Sequence, residues 1–380
     1  MTSNIMRICH VIYIPRLSGA EILVRDLTLS HISMGNQVAI ISIQPPETSF
    51  ANEIEQLQDA GALFIFPKMM LGKLSRLAFL GRELKKLNPD VAIAHSVIPS
   101  AYVRLVLKLI GRKDIPTVTV LHNASQDDYA SKYWRSLEKW VIPPPSYLIA
   151  LTETAKHNYQ KRIGDRTKIE VIPNGINLKR FSYLNSVRNE VRETIFRVKN
   201  GEKVFLQIGR FGSTKQQHLS VSAFISAFRE CSYLLSAKLF LVGLVEDSQY
   251  YQNLKKKVAD SGLEEAIVFL GACTNVPELL AGADVYLMPS KREAHSVAFL
   301  EALASGITII ASDIAAFQHG RYFPGVTLIQ PDNIKLFSEE ISNAANQNPG
   351  KLWERNLKDY SIDKTSHAYL HIFNFLSTNR

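Results

Sequence analysis

The chain has 380 residues, 46% apolar and 21% charged, and its 44 Lys and Arg against 35 Asp and Glu leave a formal charge of +9. That composition excludes intrinsic disorder, and the length predicts two or three domains. The three cysteines, Cys9, Cys231 and Cys273, give no disulfide framework or zinc spacing, and no apolar run approaches the roughly 20 residues that span a bilayer, which predicts a soluble or peripheral protein of a reducing compartment.

In chain order, short β-rich apolar runs alternate with helical stretches. Strands are predicted at 6–14, 37–43, 62–66, 91–95, 116–121, 146–151 and 168–172. The first contains ICHVIYI, with His10 inside it, one upstream Arg7 and Pro15 beyond; lacking a small-residue cleavage site, it reads as a buried strand and not a signal peptide. Many of these runs are continuous instead of alternating, as in parallel strands covered on both faces. After the third, KMMLGKLSRLAFLGRELKKL spaces Leu74, Leu77, Leu80, Leu84 and Leu87 by three and four, which predicts an amphipathic helix. Beyond IPNGIN the segment 178–202 turns polar and charged, then KVFLQIG opens a second series of strands at 203–208, 238–243, 266–270, 284–289, 307–311 and 326–329. This predicts one doubly wound α/β domain over 1–180, a second over 181–358, and an amphipathic terminal helix, SHAYLHIFNFL, within 359–380 that returns to the first. Two such domains are expected to face each other across a cleft, with ligands held where loops leave the C-terminal ends of strands.

The positive charge is concentrated. Residues 66–114 hold ten Lys and Arg against three Asp and Glu, a local surplus of seven. Lys73, Arg76, Arg82, Lys85 and Lys86 fall between the leucines of the amphipathic helix, and AYVRLVLKLIGRK adds a second basic segment. Such a face either touches anionic lipid head groups or is the solvated side of an ordinary core-facing helix. No nucleic-acid motif accompanies the charge, so nucleic acid is not an expected partner.

Four places carry chemistry. In PSKREAHSVAFLEALASGITIIASD, Glu293 lies in a loop after the strand ADVYLMPS, and Glu301 lies in the helix that the loop feeds. A loop entering a helix N-terminus after a parallel strand suits an anion, because unpaired amides and the helix dipole point at the ligand. Two acceptor-only carboxylates there suit hydroxyls of a sugar and a ribose; a capping Glu and a structural Glu are the plain alternative. In QIGRFGSTKQQHLSVSAF, a strand ends in Gly209 and Arg210, and a short loop brings Lys215 to the next helix. A planar fork and a compact charge together suit a diphosphate, although each alone reads as a solvated cation. The loop lacks the Gly-Lys-Ser/Thr ending of a P-loop. LSGAEILVRDL follows the first strand, where Gly19 permits close backbone approach and Glu21 opens a helix; a plain turn reads equally well. TVTVLHNAS sets His122 just past a buried strand, as VAIAHSV does for His95, and such a histidine is either structural or projects into the cleft.

Together these features resemble a GT-B glycosyltransferase of the family-4 type, a large group of retaining enzymes that use nucleotide sugars. The resemblance covers most of the chain: Ser18-Gly19-Ala20-Glu21, His122, the IPNGIN hinge, the Arg210 and Lys215 turn, and the paired-Glu loop followed by ALASGITIIASD. It implies an α/β, GT-B architecture of two doubly wound, Rossmann-like domains facing across a cleft. Arg210 and Lys215 would neutralise the diphosphate leaving group, Glu293 would contact the donor sugar and Glu301 the ribose. Gly19 and His122 would meet the donor's phosphates and sugar from the first domain, while Gly209, His295, Ser296 and Val297 would complete the donor site. The chain departs from the family pattern at Ser18 and at Gln216, where glycine is usual, and at Asn177, where Asp is common. After Glu293 it reads Ala-His-Ser-Val-Ala in place of Gly-Phe-Gly-Leu-Pro, so His295 and Ser296 replace Phe and Gly.

Glycosyl transfer builds positive charge on the anomeric carbon and negative charge on the departing diphosphate, so Arg210 and Lys215 would help most at the transition state. The sequence has no Asp-x-Asp triplet and no cluster at metal-ligand spacing, and transfer without a metal or cofactor is expected. The resemblance implies retention, with the leaving phosphate taking the acceptor's proton. Because the basic window lies in the expected acceptor domain, the acceptor is expected to be a lipid-linked glycan of cell-surface polysaccharide or lipopolysaccharide synthesis, with the enzyme on the cytoplasmic face of an anionic membrane. The competing reading is a non-catalytic GT-B scaffold or partner subunit of a glycan-assembly complex; its mark would be loss of the Arg, Lys and Glu set, which is intact. A phosphorylase using pyridoxal phosphate is typically much longer, and the pattern of a sugar-nucleotide epimerase is not seen.

Overall fold

A computed structural model describes residues 5–122, 129, 131–182 and 184–378. The chain divides into two compact units, Met1–Ile176 with Asp359–Arg380, and Asn177–Lys358.

The first unit is built on seven parallel strands: β1 (Arg7–Ile12), β2 (Gln37–Ser42), β3 (Leu63–Ile65), β4 (Val91–His95), β5 (Thr117–Leu121), β6 (Tyr147–Ala150) and β7 (Ile169–Val171). Their order across the sheet is β3-β2-β1-β4-β5-β6-β7. Every residue of β4 and β5 is buried, which is why VAIAH and TVTVL lack alternation. Helices α1 (Gly19–Ser33), α2 (Ala51–Asp59), α3 (Lys73–Leu87), α4 (Val97–Leu109), α5 (Lys132–Ser136) and α6 (Glu153–Ile163) connect the strands.

The second unit has six parallel strands: β8 (Lys203–Ile208), β9 (Ala237–Val242), β10 (Ile267–Gly271), β11 (Val285–Met288), β12 (Thr308–Ser312) and β13 (Val326–Ile329), in the order β10-β9-β8-β11-β12-β13. Its helices are α7 (Leu184–Val191), α8 (Gln217–Glu230), α9 (Ser248–Ser261), α10 (Val276–Gly282), α11 (Val297–Ala304) and α12 (Ile334–Ala345). Both sheets have the doubly wound arrangement, in which the strand order reverses beside the first strand and opens a crevice at the C-terminal strand ends. The reversal lies between β1 and β4 in one unit and between β8 and β11 in the other.

The last helix, α13 (Ile362–Thr378), belongs to the first unit, where Tyr369, Ile372 and Phe373 share a core with Leu23 and Leu27 of α1. The chain reaches it beside IPNGIN: the Ile176 amide donates to the Tyr360 carbonyl at 2.9 Å, and the Ile362 amide donates to the Ile176 carbonyl at 2.8 Å. Gly175 is needed there because a Cβ would lie 2.5 Å from the Ser361 carbonyl oxygen. Asn177 accepts from the Lys179 amide at 3.1 Å, a capping bond that Asp would make equally well.

Two charged clusters are structural. Arg104, one of the basic residues of the 66–114 window, contributes nothing to a surface: it is buried on α4, donates two bonds to the Glu138 carboxylate at 2.7 and 2.9 Å, and donates a third to the Pro143 carbonyl. The polar segment after IPNGIN also packs inward. Arg188 and Arg192 reach the buried Asp284 at 2.6 and 3.1 Å, and the Val204 and Gly350 amides donate to the same carboxylate at 2.8 Å. Burial alone would raise Asp284, but Arg188, the two amides and Arg192 together hold it below the ordinary carboxylate range.

Candidate active site

In the second unit, the candidate residues meet where β8 and β11 end. Beyond β8, Phe211 forms a bridge with Val245 beyond β9, so Gly209 and Arg210 leave the sheet in a fixed direction. The Lys215 side chain lies over Gly209, where an added Cβ would meet it at 3.2 Å. Gln217 donates to the carbonyls of Gly209 and Arg210 at 3.1 and 3.0 Å, and Gln207 donates to the Lys215 carbonyl at 2.8 Å. Gln216, where the resemblance leads one to expect glycine, adopts a left-handed φ of 50° and donates its side-chain amide to Asp332. A glycine conformation is therefore kept without a glycine, with a hydrogen bond set against its steric cost of about 1–2 kcal/mol.

The second loop is joined to the first. The Lys291 amide donates to the Thr214 carbonyl at 2.9 Å, and Lys215 Nζ stands 2.5 Å from Glu293 Oε1. Thus the cation and the acid, 78 residues apart, form one ion pair with both side chains largely buried. Arg210 is paired with Glu246, which follows β9. The sequence offered a faint signal for Glu246, an acid just beyond the strand beside β8, but nothing that tied it to Arg210.

Ser296 caps α11 by accepting from the Phe299 amide at 3.4 Å, and Val297 is the first residue of the helix. Glu301 is buried on the next turn with Arg180 at 3.7 Å. His295 turns inward and stacks on His319 with ring centroids 5.0 Å apart. Burial, reinforced by His319, lowers His295 to about 3, so the ring is neutral at pH 7. Arg210, Lys215, Glu293, Glu301 and the 295–297 turn therefore occupy one strand edge of one unit. Among the described residues, no group of three His, Cys, Asp or Glu has the arrangement of a metal site.

In the first unit, Gly19 is the first residue of α1, and Ser18 donates to Glu21 across that turn. His122 directly follows β5, at the same C-terminal edge of the sheet, and its Nε2 lies 3.0 Å from Nδ1 of His95. Burial lowers His122 to about 4, so it is uncharged at neutral pH.

Residues 17–180 match Glycosyltransferase Family 4, and residues 190–358 match Glycosyl transferases group 1. The chain belongs to the family-4 glycosyltransferases. The transferase is 25% identical over 331 residues to the UDP-Gal:alpha-D-GlcNAc-diphosphoundecaprenol alpha-1,3-galactosyltransferase of Escherichia coli, a match covering 82% of this chain and 81% of that one. Among solved structures, the transferase resembles a glycosyltransferase from Rickettsia africae with a TM-score of 0.77 at 16% identity over 100% of both chains. It also resembles Anabaena HepE, solved in complex with UDP-glucose, with a TM-score of 0.71 at 18% identity over 98% of both chains. These likenesses establish the GT-B fold of the transferase.

Proposed function

We propose that this glycosyltransferase moves a sugar, with retention at the anomeric carbon and without a metal, from a nucleotide-sugar donor to a lipid-linked glycan. The carrying observation is the joining of the Arg210–Lys215 loop to the Glu293 loop, with Glu301 one helix turn further on. Arg210 and Lys215 supply two cations where a leaving diphosphate gains charge, and that term grows toward the transition state. Glu293, now paired with Lys215, accepts from sugar hydroxyls, and Glu301 accepts from the ribose. Gly19 admits the donor's phosphates beside the start of α1, and His122 hydrogen-bonds a donor oxygen. Gly209 leaves room for Lys215 to lie flat, while Ser296 and Val297 set the helix end that faces the anion; His295 packs behind them. The leaving phosphate takes the proton of the acceptor hydroxyl. The relative in E. coli is named for a UDP-sugar donor and a diphosphoundecaprenol-linked acceptor, which supports both halves of this reading.

Membrane placement rests on the surface of the first unit. Phe66, Met69, Met70 and Leu74 are exposed beside Lys68 and Lys73, and Leu109 is exposed beside Lys108. Apolar side chains left in water among lysines suit the head-group boundary of an anionic bilayer, which supports a peripheral membrane enzyme; the cytoplasmic face and a role in cell-surface glycan synthesis are part of the same proposal. No helix among the described residues is long and apolar enough to cross a membrane.

Two measurements test these proposals. A panel of nucleotide sugars is incubated with a lipid extract and EDTA, and nucleotide release and the anomeric configuration of the product are read. Release with an α-linked product from an α-linked donor is expected. No release from any donor would favour the non-catalytic scaffold, and inversion or loss of activity in EDTA would overturn the mechanism. Sedimentation with anionic vesicles should fall steeply with salt and on neutralising Lys68, Lys73, Lys85 and Lys86; salt-insensitive or absent binding returns the charge to ordinary solvation.

A further inference from the structure

Four histidines stand in a row through the first unit. His31 on α1 and His10 on β1 stack with ring centroids 5.8 Å apart and planes at 16°. His10 Nδ1 lies 2.9 Å from His95 Nε2, and His95 Nδ1 lies 3.0 Å from His122 Nε2. The row ends on α13, where Phe373 meets His31 edge-on at 5.9 Å. His10, His31 and His95 are buried. Burial lowers all four rings below the ordinary imidazole range, and among the described residues the ionisable groups acting on them are the rings themselves and His367, so each ring is held neutral.

A neutral imidazole has one N–H and one lone pair. Both nitrogens of His95 are engaged by other imidazole nitrogens, so His95 must donate on one side and accept on the other. The three rings are therefore locked together: all carry the proton on Nδ1, or all carry it on Nε2. His10 Nε2 breaks the tie, because it is buried and, among the described residues, has no hydrogen-bond partner. The Nε2–H arrangement would strand a buried N–H there, whereas the Nδ1–H arrangement strands only a lone pair, the more tolerable orphan.

We propose that His10 and His95 are positioning residues that lock His122 as its Nδ1–H tautomer, so that its Nδ1–H donates a hydrogen bond to an oxygen of the bound donor substrate. The polarity is set at β1, two strands away from His122. The donor-substrate part rests on the proposed transferase function; the tautomer lock does not.

The test separates the two. Long-range proton–nitrogen NMR correlations on the full chain, with ring-labelled histidine and no substrate, should show His122 protonated on Nδ1. Protonation on Nε2 overturns the polarity. His95→Leu removes the donor to His122 Nε2 and should give a mixture of His122 tautomers, whereas His95→Asn keeps an N–H at the Nδ1 position and should restore the single form. His10→Phe leaves His95 Nε2 buried without that partner, so the same rule should hold His95, and with it His122, on Nδ1–H; a switch of His122 to Nε2–H overturns the tie-break. An unchanged His122 spectrum in His95→Leu refutes the coupling. With the donor identified, His95→Leu should lower kcat/KM by about tenfold, the worth of one hydrogen bond, with most of it recovered in His95→Asn. A spectrum that changes as expected beside unchanged kinetics would preserve the lock and overturn the contact with substrate.

Discussion

Replacing Lys215 by Ala separates catalysis from folding. Its Nζ is 2.5 Å from Glu293, and the two side chains are 21% and 12% exposed, so the pair is partly desolvated without being sealed. A fully buried pair costs about 3–5 kcal/mol when one partner is removed; with this residual exposure, and with Glu293 able to recruit water, about 1–2 kcal/mol of stability should be lost. The catalytic loss should be larger. A preorganised donor at a developing anion is worth about 2.7–4 kcal/mol, or roughly 100- to 1000-fold in kcat. Nucleotide release at saturating donor and urea unfolding measure the two quantities. Lys215→Arg should recover only part of the rate, because the longer planar head cannot lie over Gly209 as the lysine chain does, so close that a Cβ added at Gly209 would meet it at 3.2 Å. Wild-type turnover in Lys215→Ala would refute the placement of the leaving group. A fall in kcat no larger than the fall in folded fraction would reduce the ion pair to a structural one.

Glu246→Gln frees Arg210 from a solvent-accessible partner, so KM for the donor should fall by no more than about fivefold, the worth of an exposed pair; a rise in KM would mean that Glu246 orients Arg210 toward the ligand. Asp284→Ala leaves Arg188 and Arg192 facing an empty buried position and should cost about 3–5 kcal/mol in urea unfolding, with an unchanged value excluding the cluster as the anchor of α7. The folded protein holds His295 at about 3, so below pH 6.5 the unfolded chain binds a proton that the folded chain refuses. This stability is present above pH 6.5 and drains away as pH falls toward 3, by about 1.4 kcal/mol per unit once well below 6.5. Unfolding midpoints at pH 7 and 5 should therefore differ less in His295→Phe than in the wild type, and equal differences would place His295 in water. Gln216→Gly relieves the left-handed strain while losing the bond to Asp332, so stability should change by less than about 1 kcal/mol, whereas a β-branched Gln216→Val should destabilise clearly in thermal melts.

Much of the fold was legible because parallel strands buried on both faces write themselves as continuous apolar runs. VAIAH, TVTVL and KVFLQI are found as β4, β5 and β8 for that reason. The site was legible in pieces: each charged residue sits in the loop that leaves a buried strand or on the helix that follows it. The pairs were not. Lys215 and Glu293 are joined because β8 and β11 are neighbours, a fact of sheet order that local sequence does not carry. Arg104 looked like surface charge because its partner Glu138 lies 34 residues on. Arg188 and Arg192 looked like linker because Asp284 is more than 90 residues away.

The surplus of basic residues shows the same division. Composition and periodicity by themselves determined that this chain builds two doubly wound α/β layers and that its cations gather in residues 66–114 and beside one strand end, since burial patterns and charge are properties of residues in order along the chain. Which cations face a ligand, which hold a buried carboxylate, and that four histidines spread over 112 positions stand in one row were decided only by the tertiary structure. Side-chain charge acts over a few ångströms, and only folding sets which residues come that close.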